Sequence, residues 1–393
     1  MNGFIYETPT KVYFGKNEEE KVGKIIAAFN VKKVLIHYGG ASAEKSGLLA
    51  RIENSLQGES IKYVKLGGVK PNPELSLVRT GIELCKREGV DFILAVGGGS
   101  VLDSSKDIAN GVANPEVDVW DFSLKKSSPV KTLNKGAILT ISAAGSEMSD
   151  SCVITNSETG EKRGYGSRCN RFDFAIENPE LTYTVSAYQT ACGAVDIGMH
   201  TIERYFCLGS DTYLTDGISE AIIKAAIRSG REAIENPNSY EARANMMWAS
   251  SLAHNGLTQC GKDNVMLTVH QLEHEVSGMY PLVAHGAGLA ALWCSWARYV
   301  YRASISRFLQ YAQNVWNVDV DFEHPEKTVE KAICLQEQYY ASIGMPISLR
   351  ELNVDKASLP ALALGCTRNK TRTLPGFKEL NYDDILAIYE MAY

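Results

Sequence analysis

The chain has 393 residues, 45% hydrophobic and 22% charged, an ordinary globular composition that is too long for one small core and so predicts two domains. Its formal net charge of -6, with no basic stripe, argues against a nucleic acid or an anionic membrane surface as partner. No apolar run approaches the roughly 18 residues that span a bilayer, and Met1 to Glu7 lacks the layout of a signal peptide, so the expected location is the cytoplasm.

Lys33 to Tyr38 reads as a strand, followed by a Gly39-Gly40 turn and a helical stretch around Leu48 to Ile52. Ile61 to Val64 is the next strand, Leu75 to Cys85 has helical spacing, and Phe92 to Val96 is a further apolar run that ends at glycines. Short strands buried on both faces between helices predict a parallel, doubly wound sheet. The run ending at Val96 leads into Gly97-Gly98-Gly99-Ser100-Val101-Leu102-Asp103-Ser104-Ser105-Lys106. Glycines there would let backbone N–H groups approach a phosphate at the positive end of a helix. The dinucleotide fingerprint is absent, because Leu102 stands where a third glycine belongs, and the Gly-Lys-Ser/Thr ending of a P-loop is missing. A tight strand-to-helix connection accounts for the same residues equally well.

Ala137 to Ser149 couples a strand to a turn of small and hydroxyl residues, suited either to a cofactor or to a plain surface turn. Lys162 lies in the polar, hairpin-like stretch Ser157 to Gly166, where a lysine is ordinarily solvated surface. Several phosphate-compatible loops on such a sheet suggest a dinucleotide in the crevice beside the second domain.

Around Asn178-Pro179-Glu180-Leu181 a turn-forming Asn-Pro precedes the first long helical segment. The expected division is an α/β nucleotide-binding domain over residues 1–180 and an all-helical metal and substrate domain over 181–393. The helical segments expected are Tyr188 to Phe206, Leu214 to Ile234, Ala242 to His254, Gly286 to Val300 and Lys327 to Ile343.

Within that second part, Asp196 and His200 are four apart, as are His270 and His274, so each pair projects from one helical face. A single such pair is ordinarily a surface or capping pair. Here three of only seven histidines crowd between His270 and His285 among Val, Leu, Met and Ala, and neutral imidazoles in such surroundings need partners. A carboxylate with imidazoles suits a divalent ion of the iron, zinc or manganese kind. The nine cysteines stand singly, without a Cys-x-x-Cys pair, as reduced thiols do; Cys192, Cys207 and Cys260 read as small buried apolar residues. Trp248, Tyr280 and Trp293 read as core.

The chain resembles the iron-containing alcohol dehydrogenases, in particular the branch of butanol dehydrogenases and broad-specificity aldehyde reductases. The resemblance runs nearly end to end through Tyr38-Gly39-Gly40-Ala41-Ser42, Gly68-Val69-Lys70-Pro71-Asn72-Pro73, Gly97 to Asp103, Gly145-Ser146-Glu147, Asn178 to Thr182 and the Asp196 to His285 constellation. It implies a metal, Fe2+ or Zn2+, held by Asp196, His200, His270 and His285, with His274 a non-ligand histidine near the nicotinamide. It places cofactor contacts on Gly39, Gly40, Ser42, Asn72, Gly98, Gly99, Ser100, Asp103, Thr140, Lys162 and Leu181. Relatives that prefer NAD tend to carry an acidic residue where this chain has Gly39, so the resemblance implies NADP, with NAD the alternative. The sequence departs from the family pattern in two places: Tyr280 to Ala284 is one residue longer than usual, and Ala144 stands where relatives commonly have Thr.

The implied activity is hydride transfer between NADP(H) and a primary alcohol or aldehyde, by a cytoplasmic homodimer, with His274 relaying the alcohol proton. A dehydroquinate-synthase-like lyase using NAD transiently is the alternative, and would show no net nicotinamide oxidation with an aldehyde. A non-haem iron oxygenase and a non-catalytic metal-binding protein are further rivals, distinguished by oxygen uptake and by metal bound without turnover.

Overall fold

Runs of Val, Ile, Leu and Phe too short for helices build the central strands of the first half of the chain. The computed structural model describes residues 1–207, 211–263 and 265–393. In chain order the strands are β1 (Lys11–Phe14), β2 (Lys33–Tyr38), β3 (Lys62–Leu66), β4 (Phe92–Gly97), β5 (Asn134–Leu139), β6 (Ser151–Asn156), β7 (Glu161–Gly166) and β8 (Phe174–Glu177). The described residues form a six-stranded sheet in the order β1-β8-β5-β4-β2-β3 and an antiparallel hairpin of β6 with β7. Every pairing in the larger sheet is parallel.

Between the strands run α1 (Val22–Ala27), α2 (Ser42–Lys45), α3 (Leu48–Gly58), α4 (Leu75–Glu88), α5 (Gly99–Ala113) and α6 (Val119–Ser123). Alternation along the strands decides what each face meets. Val34 and Ile36 of β2, with Phe92, Leu94 and Val96 of β4, pack on Val22 and Ile26 of α1 and Leu48, Ile52 and Leu56 of α3. Leu35 and Ile93 point the other way, onto Leu75, Val78 and Ile82 of α4 and Ile108 of α5. The sheet is therefore doubly wound. The chain leaves β2 toward β3 on one side and leaves β4 toward β5 on the other, so the winding direction switches between β2 and β4.

The second half is helical: α7 (Ala187–Tyr205), α8 (Tyr213–Glu235), α9 (Tyr240–His254), α10 (Thr268–Met279), α11 (His285–Val300), α12 (Ile305–Trp316), α13 (Pro325–Ser342), α14 (Leu359–Cys366) and α15 (Tyr382–Met391). Residues Gly286 to Ala297 of α11 are all buried, which makes it the central helix of this unit. Phe206, Trp293, Trp296, Phe308, Tyr311 and Phe377 meet around it in tilted and edge-on contacts. Among the described residues no helix is long and apolar enough to cross a membrane.

Two compact units result, one of Glu7–Thr184 and one of Met1–Tyr6 with Val185–Tyr393. The first six residues thus cluster with the helices and not with the sheet, where the sequence reading puts them. The Asn2 backbone N–H donates to the Gly261 carbonyl at 3.1 Å, and its side chain bonds Asp263. Trp293 is fully buried core, as expected, whereas Trp248 is 42% exposed on α9 and is not core. Tyr280 is half-buried and its hydroxyl bonds Ser358 Oγ at 2.8 Å. Cys192 and Cys260 are buried, and Cys207 is only partly so.

Candidate active site

Ser186 caps the helix that carries the first acidic candidate, its side chain accepting from the Gln189 N–H. Ten residues on, helical period brings Asp196, His200 and Glu203 to the buried side of α7, each no more than 5% exposed. His270, Glu273 and His274 come from α10, and His285 is the first residue of α11. Gly286 lets α11 start hard against α7: a Cβ there would lie 2.2 Å from the Cys192 carbonyl oxygen. That close approach brings His285 toward Asp196.

Donor atoms of Asp196, His270 and His285 lie within 4.8 Å of one another. His270 Nε2 is 3.6 Å and His285 Nε2 3.8 Å from the same oxygen, Asp196 Oδ1. The Nδ1 of His270 bonds Glu203, and the Nδ1 of His285 bonds Glu273. With each Nδ1–H given to a glutamate, two Nε2 lone pairs converge on a carboxylate oxygen. Among the described residues His270 Nε2 has no hydrogen-bond partner, and Asp196 Oδ1 has only the His200 Nδ1 at hydrogen-bonding distance, itself bonded to the Asp196 carbonyl oxygen, a costly arrangement for buried atoms unless a cation sits among them. The residues present therefore fit a divalent ion.

His200 stands beside this trio, outside the set of donors that lie within 4.8 Å of one another. Its Nδ1 is 3.0 Å from Asp196 Oδ1 and 2.9 Å from the Asp196 carbonyl oxygen, and its ring centroid is 4.3 Å from that of His270. His274 is half-buried, with its ring centroid 5.5 Å from that of His285.

Charge follows the same geometry. Burial alone would raise the Asp196 carboxyl, but the surrounding imidazoles, His200 first, hold it well below the usual carboxylate range. Burial pushes His200 down to about 4 against the pull of Asp196. Burial would also lower His270, yet the Glu203 and Asp196 carboxylates together outweigh it and raise that ring to about 9. Binding a divalent ion there must displace a proton.

Sequence reasoning missed Glu203, Glu273 and His254. Glu203 is three residues after His200, so its place on the same helical face was readable. His254 was not readable from spacing: it ends α9, its ring centroid lies 4.2 Å from that of His200, and its Nδ1 accepts from Arg204 Nη2 at 2.7 Å.

In the sheet unit, the expected cofactor residues fall mostly at the carboxyl ends of the strands. Gly39, Gly40 and Ser42 follow β2, and Gly98, Gly99 and Ser100 follow β4. These loops flank the point where the winding switches, the usual place for a ligand in an open α/β sheet. Gly98 is the N-cap of α5, and a Cβ on it would lie 2.2 Å from Ile141 Cγ2. Its glycine thus admits the loop after β5, where the Thr140 N–H donates to the Gly97 carbonyl at 3.1 Å. Gly39 accepts from the Gly68 N–H at 2.8 Å. Asn72 sits at φ 58 in the following turn.

Three residues of the expected set stand apart from this arc. Asp103 Oδ1 accepts from Ser146 Oγ at 2.6 Å and lies 3.3 Å from Lys106 Nζ, while its Oδ2 accepts from the Val153 N–H at 2.9 Å. Its carboxylate braces the 146–153 segment. Lys162 lies on β7 opposite Thr155. Leu181 is in the short turn Pro179–Thr182 and packs on the sheet core.

Comparison with known proteins gives a consistent result. The family model "iron-containing alcohol dehydrogenase" matches residues 9–179, and the model of the C-terminal part of the Fe-containing alcohol dehydrogenase family matches residues 190–393. NADH-dependent butanol dehydrogenase A of Clostridium acetobutylicum is 41% identical over 394 residues, covering 100% of both chains. The NADPH-dependent aldehyde reductase YqhD of Escherichia coli is 34% identical over 398 residues, again covering 100% of both. The crystal structure of NADH-dependent butanol dehydrogenase A from Thermotoga maritima matches with a TM-score of 0.95 at 34% identity, covering 100% of this chain and 99% of that one.

Proposed function

The chain belongs to the iron-containing alcohol dehydrogenase family and is an NAD(P)-dependent alcohol dehydrogenase or aldehyde reductase; from that premise we propose that Asp196, His270, His285 and the adjacent His200 hold its divalent metal and that NADP(H) is its preferred nicotinamide. The observation that carries the metal assignment is the convergence of two Nε2 atoms on Asp196 Oδ1 with both Nδ1 atoms already engaged. A carboxylate with imidazoles accepts iron or zinc, and the family description favours iron. When bound, the ion supplies Lewis acidity toward the oxygen of the aldehyde or alcohol.

The residues around it have distinct work. Asp196 supplies the one negative charge of the donor set, and the imidazoles remain neutral donors. His274, next along α10 on the same face as His270, takes the alcohol proton toward solvent in oxidation and returns it in reduction. Hydride transfer is the chemistry a bound nicotinamide would supply.

For the nucleotide, the β2 and β4 loops take the main part: Gly39, Gly40 and Ser42 beside the adenosine ribose, and Gly98, Gly99 and Ser100 at the pyrophosphate, where the first N–H groups of α5 point. Asn72, Thr140, Lys162 and Leu181 complete the set, and Asp103 acts by holding the adjacent segment in place. The relatives divide on the nucleotide, two named for NADH and one for NADPH. Gly39 favours NADP, since no carboxylate at that position opposes a 2′-phosphate. The lyase alternative has no support among these relatives and is set aside. A cytoplasmic homodimer belongs to the same proposal; all nine cysteines are free, as a reducing compartment leaves them.

The direct test follows nicotinamide absorbance with a panel of short-chain aldehydes, comparing NADPH with NADH. Oxidation with primary aldehydes, faster with NADPH, is expected; a metal-loaded enzyme that favours NADH would overturn the nucleotide assignment.

A further inference from the structure

Glu273 occupies the inward face of α10 and is fully buried, as is Glu203 on α7 to within 3%. A buried carboxylate is expensive unless a specific partner holds it there. Each has one. Glu203 takes the Nδ1 of His270 and also accepts the backbone N–H of Val269 at 2.5 Å and of His270 at 3.3 Å. Glu273 takes the Nδ1 of His285. The same construction therefore occurs twice, on rings from different helices whose Nε2 atoms face one oxygen.

We propose that Glu273, paired with Glu203, is a positioning residue for the metal, fixing the Nδ1–H tautomer and ring orientation of His285 so that its Nε2 faces Asp196. The inference rests on the reading of Asp196, His270 and His285 as ligands. A competing use of Glu273 exists, because its carboxylate also lies within 4.8 Å of donors of His274 and His285, close enough for those three to bind an ion directly. The orientation of His285 decides against it. Its Nδ1 is held by Glu273 and its Nε2 is directed to Asp196, so the ring stands between the two carboxylates with Glu273 on the far side. Outer carboxylates of this kind raise ligand basicity and hold metals more tightly.

The fold makes room for Glu273 at a second position. Gly288, one turn into α11, lies where a Cβ would come within 2.7 Å of Glu273 Cγ and 3.1 Å of its Oε1. Any side chain there must displace the glutamate while leaving every proposed ligand unaltered.

The test measures metal affinity by competition with a chromogenic chelator, and the visible spectrum of the Co2+-loaded enzyme, in wild type, Glu273→Gln, Glu273→Ala, Gly288→Ala and Asp196→Ala. Glu273→Ala is expected to weaken metal binding about 10- to 100-fold. Glu273→Gln, which keeps an acceptor for Nδ1–H, should weaken it less, with a Co2+ spectrum of unchanged coordination number. Gly288→Ala should weaken binding in the direction of Glu273→Ala, which keeps the test open should that variant fail to fold. Wild-type affinity in both Glu273→Ala and Gly288→Ala would overturn the inference, as would a Co2+ spectrum showing a lost ligand in Glu273→Gln. Unchanged metal binding in Asp196→Ala would instead overturn the ligand reading beneath it.

Discussion

Replacing Gly39 with Asp puts the nucleotide assignment to a quantitative test. The backbone at Gly39 is not among the left-handed glycines. A Cβ added there would lie 3.5 Å from the Val69 carbonyl oxygen and 3.7 Å from Val101 Cγ2, ordinary contacts that demand no rearrangement. The substitution therefore changes charge at the end of β2 with little effect on the fold. A carboxylate at about 5 Å from a 2′-phosphate bearing roughly -1.5 charges costs about 1–5 kcal/mol across effective dielectric constants of about 80 to 20. That corresponds to a loss of about 5- to 5000-fold in kcat/KM for NADPH. The same carboxylate accepts from the ribose 2′-OH of NADH, so kcat/KM for NADH should hold or rise. Initial rates with one aldehyde and each nucleotide give both constants. A ratio of the two that stays at its wild-type value would refute the placement of the adenosine ribose beside Gly39.

Other perturbations test other parts of the account. Burial pushes the Asp107 carboxyl on α5 up to about 7, against the bond it accepts from the Tyr165 hydroxyl at 2.6 Å. A raised acid favours its protonated form in the folded state, so its contribution is intact below about pH 4 and lost as pH rises through about 7. Asp107→Asn should remove that loss, gaining up to about 4 kcal/mol over wild type by neutral pH in denaturant titrations; a difference independent of pH would contradict it. Gly286→Ala forces a methyl against the Cys192 carbonyl and should cost about 1–3 kcal/mol, seen as a lower Tm together with weaker metal binding. His274→Ala should lower kcat for alcohol oxidation about 100-fold or more with metal content unchanged, and loss of the metal itself would show that the ring is structural to the site.

The sheet was legible where its strands are apolar and buried on both sides, as in Phe92 to Val96. It was not legible at its edge: β1 has partly exposed and exposed residues only, and it pairs through Lys11 with Phe174, a partner no local pattern can supply. The hairpin of β6 and β7 showed itself through the polar turn between them. In the helical unit, Asp196 with His200 and His270 with His274 stood out by their helical spacing, and His285 by the crowding of three rare histidines in one short stretch. The glutamates behind the histidines did not stand out, since charged residues on helices are ordinarily solvated and only the packed structure shows Glu203 and Glu273 turned inward. Trp248 misled for the converse reason: a large aromatic in a helical run reads as core, yet its phase on α9 turns it outward.

The central claim is that Asp196 and the imidazoles around it hold one divalent ion, and elemental analysis of purified wild-type and Asp196→Ala protein tests it most directly. The account expects roughly one equivalent of iron or zinc per wild-type chain and essentially none in the variant, with a folded far-UV spectrum in both. Equal metal content in the two proteins would contradict it.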